Sequence, residues 1–97
     1  MPALSAAANV PNTALVILQR KGFCVWTDDA EKWWFAERDG WDFMADDPIQ
    51  LLGLVAIFEF QQPTEFREYW WRHREPWLVD SVPKTAPDYT PVYSRRA

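Results

Sequence analysis

One cysteine, one histidine and three glycines are all that this chain offers of the residues most used in chemistry and tight phosphate loops. A lone Cys24 excludes an internal disulfide, and its neighbours Phe23, Val25 and Trp26 mark it as a small apolar side chain expected inside the fold rather than a reactive thiol. Gly22, Gly40 and Gly53 are too scattered to cradle a phosphate. No dinucleotide fingerprint occurs, and neither a CxxC nor an HxxxH pair supplies zinc ligands, so no cofactor and no metal is implied. Long hydrophobic runs are missing too: the longest, residues 51–58, falls far short of the roughly 20 residues that cross a bilayer. Residues 1–11 have no basic start and no long apolar stretch, so no signal peptide is expected and a cytoplasmic location is. Positive charge is also scarce. Ten Lys and Arg against 14 Asp and Glu leave a net charge of −4, which speaks against nucleic acid and against anionic membrane as partners.

Aromatic residues, by contrast, are abundant: seven Trp, six Phe and three Tyr in 97 residues supply the buriable area of one folded domain, and the length leaves no room for a second core. The acidity is concentrated. Asp28, Asp29, Glu31, Glu37, Asp39, Asp42, Asp46 and Asp47 stand against only Lys32 and Arg38 between positions 28 and 47, whereas residues 64–97 hold six bases against five acids.

Along the chain, Asn12 and Thr13 are suited to cap a helix over about 13–21 that ends at Gly22, with Arg20 and Lys21 in its last turn. Residues 23–27, 32–37 and 41–45 are rich in aromatic and β-branched residues and are separated by turn sequences, the pattern of an antiparallel meander. Asp47 followed by Pro48 predicts a helix start and a second helix to about Gln61. After Pro63, the spacing of Phe66, Tyr69, Trp70 and His73 predicts a third, amphipathic helix ending before Pro76. The expected fold class is therefore α+β: a three-stranded antiparallel meander packed against helices in α-β-β-β-α-α order. Residues 1–11 form an N-terminal extension, 12–75 the domain, and 76–97 an extended arm with four prolines.

Over residues 12–61 the order helix, three strands, helix resembles that of the double-stranded RNA-binding domain. That family sets lysines at the start of its second helix. Here the matching positions are Asp46, Asp47, Pro48, Ile49 and Gln50, so the resemblance extends to element order and not to RNA binding.

Which sheet face is covered depends on the loop around Asp39-Gly40. A two-residue turn sets Glu37 opposite Asp42, a like-charge pair, and a three-residue loop with Gly40 as a bulge avoids it. The three-residue loop is therefore expected, with Cys24, Trp26, Trp33, Phe35, Trp41, Phe43 and Ala45 facing the core. Phe23, Val25, Lys32, Trp34, Ala36, Arg38, Asp42 and Met44 then share the other face, an apolar strip with Trp34 at its centre. Either the third helix or the arm covers this strip, or it is an interface. The second helix is apolar nearly all round, with Leu51, Leu52, Val55 and Phe58 on one side and Leu54, Ile57 and Phe60 on another, and needs cover twice.

These surfaces predict a non-enzymatic protein-binding domain. It would self-associate as a homodimer through Trp34, Val25 and Met44 and the apolar helix, with Trp71, beside Arg67, Arg72 and Arg74, as a further anchor or as packing under the arm. The alternative is a small acidic inhibitor of immunity or antitoxin type, whose Asp28, Asp29, Glu31, Asp46 and Asp47 gather at one end of the sheet and meet a basic protein. Solvated turn acids with Asp47 as a helix cap are the plain alternative for that cluster. An enzyme would need Glu59 and His73 to converge in a cleft; more simply, Glu59 reaches the rim to meet Arg67 or Arg72, and His73 packs in its helix.

Overall fold

The structure, a computed structural model, describes residues 2–73 and 78–94. Helix α1 (Val10–Arg20) starts earlier than its sequence suggests, because Pro11 fits a first helical turn, where its missing N–H costs nothing. Asn12 and Thr13 thus lie inside the helix, and Asn9 is the cap residue, contributing through its carbonyl, which accepts from the Thr13 N–H at 3.3 Å. The far end closes as a Schellman motif. Phe23 N–H donates to Leu18 O (3.0 Å), Gly22 N–H donates to Gln19 O (2.9 Å), and Gly22 takes the φ of +90° that this reversal requires. The motif delivers Phe23 into the core beside Leu18.

Strands β1 (Cys24–Thr27), β2 (Trp34–Arg38) and β3 (Trp41–Ala45) form one antiparallel sheet in the order β1-β2-β3. Helix α2 (Pro48–Gln61) follows, its first turn capped by Asp47, whose Oδ1 accepts from the Gln50 N–H at 2.8 Å. The first five elements therefore arrive in the expected α-β-β-β-α order, and the domain is α+β.

The sheet register differs from the expected one. Glu37 pairs with Asp42 and Arg38 with Trp41, so Asp39-Gly40 is a two-residue turn. Both residues have positive φ, +52° and +86°, the backbone of a type I′ turn, whose twist matches that of the flanking strands. Two side chains make this register acceptable. Glu37 turns its carboxylate to the Gly40 N–H (2.9 Å), easing its confrontation with Asp42. Arg38, on the covered side, sets its guanidinium carbon over the Phe23 ring, 4.5 Å from its centroid, and donates to Lys21 O at the end of α1 (2.8 Å). A charged residue thus serves as the lid of the core instead of excluding its face from it.

The covered face carries Val25, Trp34, Ala36, Phe43 and Ala45, against which α1 and α2 bring Leu18, Leu51 and Val55. Those last three are fully buried, and each contributes roughly 1.5–3 kcal/mol of apolar transfer. Phe43, Trp41, Phe58 and Trp70 continue the core as a set of tilted and edge-on ring contacts 5.2–6.4 Å apart.

The third helix does not form: residues 64–73 are turns and bends. Gln61 accounts for this. Its side-chain amide donates to the carbonyls of Trp70, Trp71 and Arg72 at 3.1–3.4 Å, gathering them around one donor rather than along a helix axis. Tyr69 has φ +60°, which breaks any helical run, and Trp70 turns in against Trp41 and Phe58. Residues 78–94 include a short 3-10 turn (Val92–Ser94), and Leu78, Val79, Val82, Tyr89 and Tyr93 are exposed. Residues 74–77, with Arg74, Pro76 and Trp77, lie outside the described residues. Among the described residues no helix is long and apolar enough to cross a membrane.

Candidate protein-docking surface

Alternation along the strands assigns the uncovered face. β1 contributes Cys24 and Trp26, β2 contributes Glu37 and Phe35, and β3 contributes Asp42 and Met44, in two cross-strand rows: Cys24–Glu37–Asp42 and Trp26–Phe35–Met44. The same register continued one residue past the strands gives a third row, Asp28–Trp33–Asp46, and the Asp28 N–H bond to Trp33 O (3.3 Å) shows β1 and β2 still side by side there. An apolar band therefore crosses the sheet between two rows bearing Glu37 and Asp42 on one side and Asp28 and Asp46 on the other.

The band is open to solvent, because both helices pack on the other face. Trp26 is 45% and Met44 52% exposed, and Trp26 stacks on Phe35 with centroids 5.2 Å apart and planes 6° from parallel. This stacking holds two large rings in one orientation before any partner arrives, which lowers the entropy lost on binding. The acids are held as well: Asp28 Oδ1 accepts from the Lys32 N–H at 2.7 Å, and Glu37 is tied to Gly40. The Lys32 ammonium sits over the Trp33 ring of the third row, 6.0 Å from its centroid.

Several expected site residues lie elsewhere. Val25 and Trp34 belong to the covered face and pack against the core, so the strip centred on Trp34 is covered by the two helices, not by a third helix or the arm. Met44 is exposed as expected, but alongside Trp26 and Phe35, which sequence reasoning assigned to the core. Cys24, expected to be buried, is exposed on the outer face. Asp28 and Asp46 flank the band; Asp29 and Glu31 occupy the β1–β2 turn, where Glu31 has φ +53°, and Asp47 is spent on the α2 cap. Among the described residues no three His, Cys, Asp or Glu side chains are grouped so as to hold a metal ion.

Glu59 pairs with Lys21, the residue that follows α1, at 2.8 Å rather than with Arg67 or Arg72, and Arg67 pairs with Glu65. His73 lies with its ring 5.3 Å from that of Phe60. Glu59 and His73 are thus engaged with different neighbours. Trp71 is half exposed, with ring-edge contacts to Tyr69 and Trp70.

The signal for the missed residues was the Asp-Gly pair itself, the strongest short marker of a two-residue hairpin, which fixes Trp26, Phe35 and Met44 in one outward row. The chain matches no known family model, no curated protein and no solved structure.

Proposed function

We propose that this chain is a non-enzymatic protein-binding domain that docks through the uncovered face of its sheet. The observation that carries the reading is the Trp26–Phe35–Met44 row, a pre-stacked apolar band open to solvent and bordered by Asp28, Asp46, Glu37 and Asp42. A central apolar anchor with a charged rim is the anatomy of a specific protein interface. The sign of the rim selects the partner, a surface with apolar side chains among Lys and Arg. A two-fold pairing of this face with itself brings the four carboxylates of each copy together, which costs affinity. The recognition is that of a small acidic inhibitor of immunity or antitoxin type, working by covering a basic surface.

The test is capture of binding proteins by the full chain at low and high salt, compared among the wild type, Trp26→Lys, Phe35→Lys and a control, Tyr89→Lys, at an exposed aromatic that lies among Pro2, Ala3 and residues 90–93 rather than on the sheet. A basic protein held by the wild type and the control, released by high salt and lost with the two sheet variants, supports the reading. Binding that is indifferent to Trp26 and Phe35, or that depends on Tyr89, removes it.

A further inference from the structure

The outer edge of β3 is a second surface, adjoining the docking band at Asp42 and Met44. In a two-residue hairpin the residues flanking the turn, here Arg38 and Trp41, exchange both backbone hydrogen bonds, and every second pair after them does the same. Asp42 and Met44 fall on the alternate positions, so their backbone N–H and C=O groups point away from β2. Among the described residues no hydrogen bond joins them to anything beyond the sheet. Outer strands of monomeric proteins are usually blunted by lysine, proline or a bulge. β3 reads Trp41, Asp42, Phe43, Met44, Ala45; it has no lysine, proline or bulge, and Asp42 is its single charge.

Beside this edge runs a groove of about 310 Å³, lined by Asp42, Phe43 and Met44 of β3, by Leu54 and Ile57 of α2 and by Trp70 and Trp71. Its apolar wall is the second side of α2, which the sheet leaves open: Ile57 is 40% and Trp71 49% exposed. An occupant must therefore supply a strand for the edge and apolar side chains for the groove.

We infer that the occupant is a second copy of this chain, whose β3 adds antiparallel to the first to make a continuous six-stranded sheet with the two-fold axis at Phe43. Self-complementarity of charge fixes this register. Only residues with outward backbone groups can pair, which leaves few alignments. Centring on Asp42 sets Asp42 against Asp42, and centring on Met44 sets Asp42 against Asp46, both like-charge pairs. Centring on Phe43 sets each Asp42 against Met44, overlaps all five residues of both strands and sets the two Phe43 rings side by side on the groove face. An isologous two-fold contact of this kind closes on itself and stops at two copies. The inference does not rest on the outer face binding a partner, since Trp26 and Phe35 lie away from the edge.

Light scattering on the full chain, up to about 100 μM so that any dimer of micromolar Kd is populated, reads the mass directly. The wild type is expected at twice the chain mass of 11.4 kDa. Met44→Pro removes an outward N–H without breaking the β2–β3 ladder, and Ile57→Lys puts a charge in the groove; each weakens the dimer at least about tenfold. Trp26→Lys leaves the mass unchanged. Hydrogen exchange gives a readout that needs no variant, and decides should Met44→Pro fail to fold: the Asp42 and Met44 amides exchange more slowly in the concentrated than in the dilute protein. A wild type that stays monomeric, a dimer that survives Ile57→Lys, or a dimer broken by Trp26→Lys alone overturns the inference. The last outcome moves the interface to the outer face, whereas loss of partner capture with the dimer intact separates the two surfaces.

Discussion

Replacing Arg38 by alanine removes the lid of the core and with it several interactions. The guanidinium donates to Lys21 O at 2.8 Å, a charge-assisted bond that contributes about 1.5–2 kcal/mol at a half-buried position. Its position 4.5 Å from the centroid of Phe23 adds about 0.5–1 kcal/mol, and at 5.8 Å Phe58 adds little. The aliphatic stem also covers Gly22, where a Cβ would lie 3.5 Å from Arg38 Cδ, so truncation bares the end of α1 as well. Together these give a loss of about 2–3 kcal/mol, or about 10–20 °C in Tm for a domain of this size. Arg38→Lys keeps the charge but not the flat fork, and recovers at most about half of the loss. Urea unfolding followed by circular dichroism measures both variants. If Arg38→Ala costs less than about 0.5 kcal/mol, the range of an ordinary surface change, then Arg38 is not a lid and the register that sets it over Phe23 is wrong.

Three other outcomes follow from particular contacts. Trp70→Ala strips the ring that meets Trp41, Phe43 and Phe58 and costs about 2–3 kcal/mol by thermal melting, whereas Trp71→Ala, half exposed, costs well under half as much. Asp47→Ala costs about 1 kcal/mol through the lost Gln50 N–H bond, and Asn9→Ala, whose side chain makes no cap bond, changes stability by less than about 0.5 kcal/mol. Glu59→Gln breaks a pair in which both side chains are more than a third exposed, so chemical denaturation finds a loss of no more than about 0.5 kcal/mol that shrinks further in salt.

Element order was legible because its signals are local. Asp47-Pro48 marks one helix start, Gly22 marks one helix end, and α2 and β3 fall where the pattern puts them. The register was not legible in the same way. It depended on treating Glu37 opposite Asp42 as prohibitive, and the observed register is made acceptable by contacts that no spacing rule contains: Glu37 with the Gly40 N–H, and Arg38, on the covered side, with Phe23 and Lys21 O. Because a register slip exchanges the two faces of a strand, that one error moved Trp34 and Val25 outward and hid Trp26 and Phe35. The third helix failed for a similar reason. Its apolar spacing is real, but the Gln61 amide and the burial of Trp70 are tertiary effects that outweigh local helical preference. The strand order alone brings Asp28 and Asp46 toward one end of the sheet, yet only with the register known do they become one border of an apolar band.

The claim on which the docking face stands is that Trp26, Phe35 and Met44 share the outward row. The most direct measurement is the set of cross-strand nuclear Overhauser contacts between α-protons in the full chain. Non-hydrogen-bonded antiparallel pairs bring their α-carbons to about 4.5 Å, so strong α-proton contacts are predicted for Glu37 with Asp42 and for Phe35 with Met44. Strong contacts that instead join Ala36 to Asp42 and Trp34 to Met44, one residue out of step, would mean the bulged three-residue loop Arg38-Asp39-Gly40, with Trp34 on the open face and the band absent.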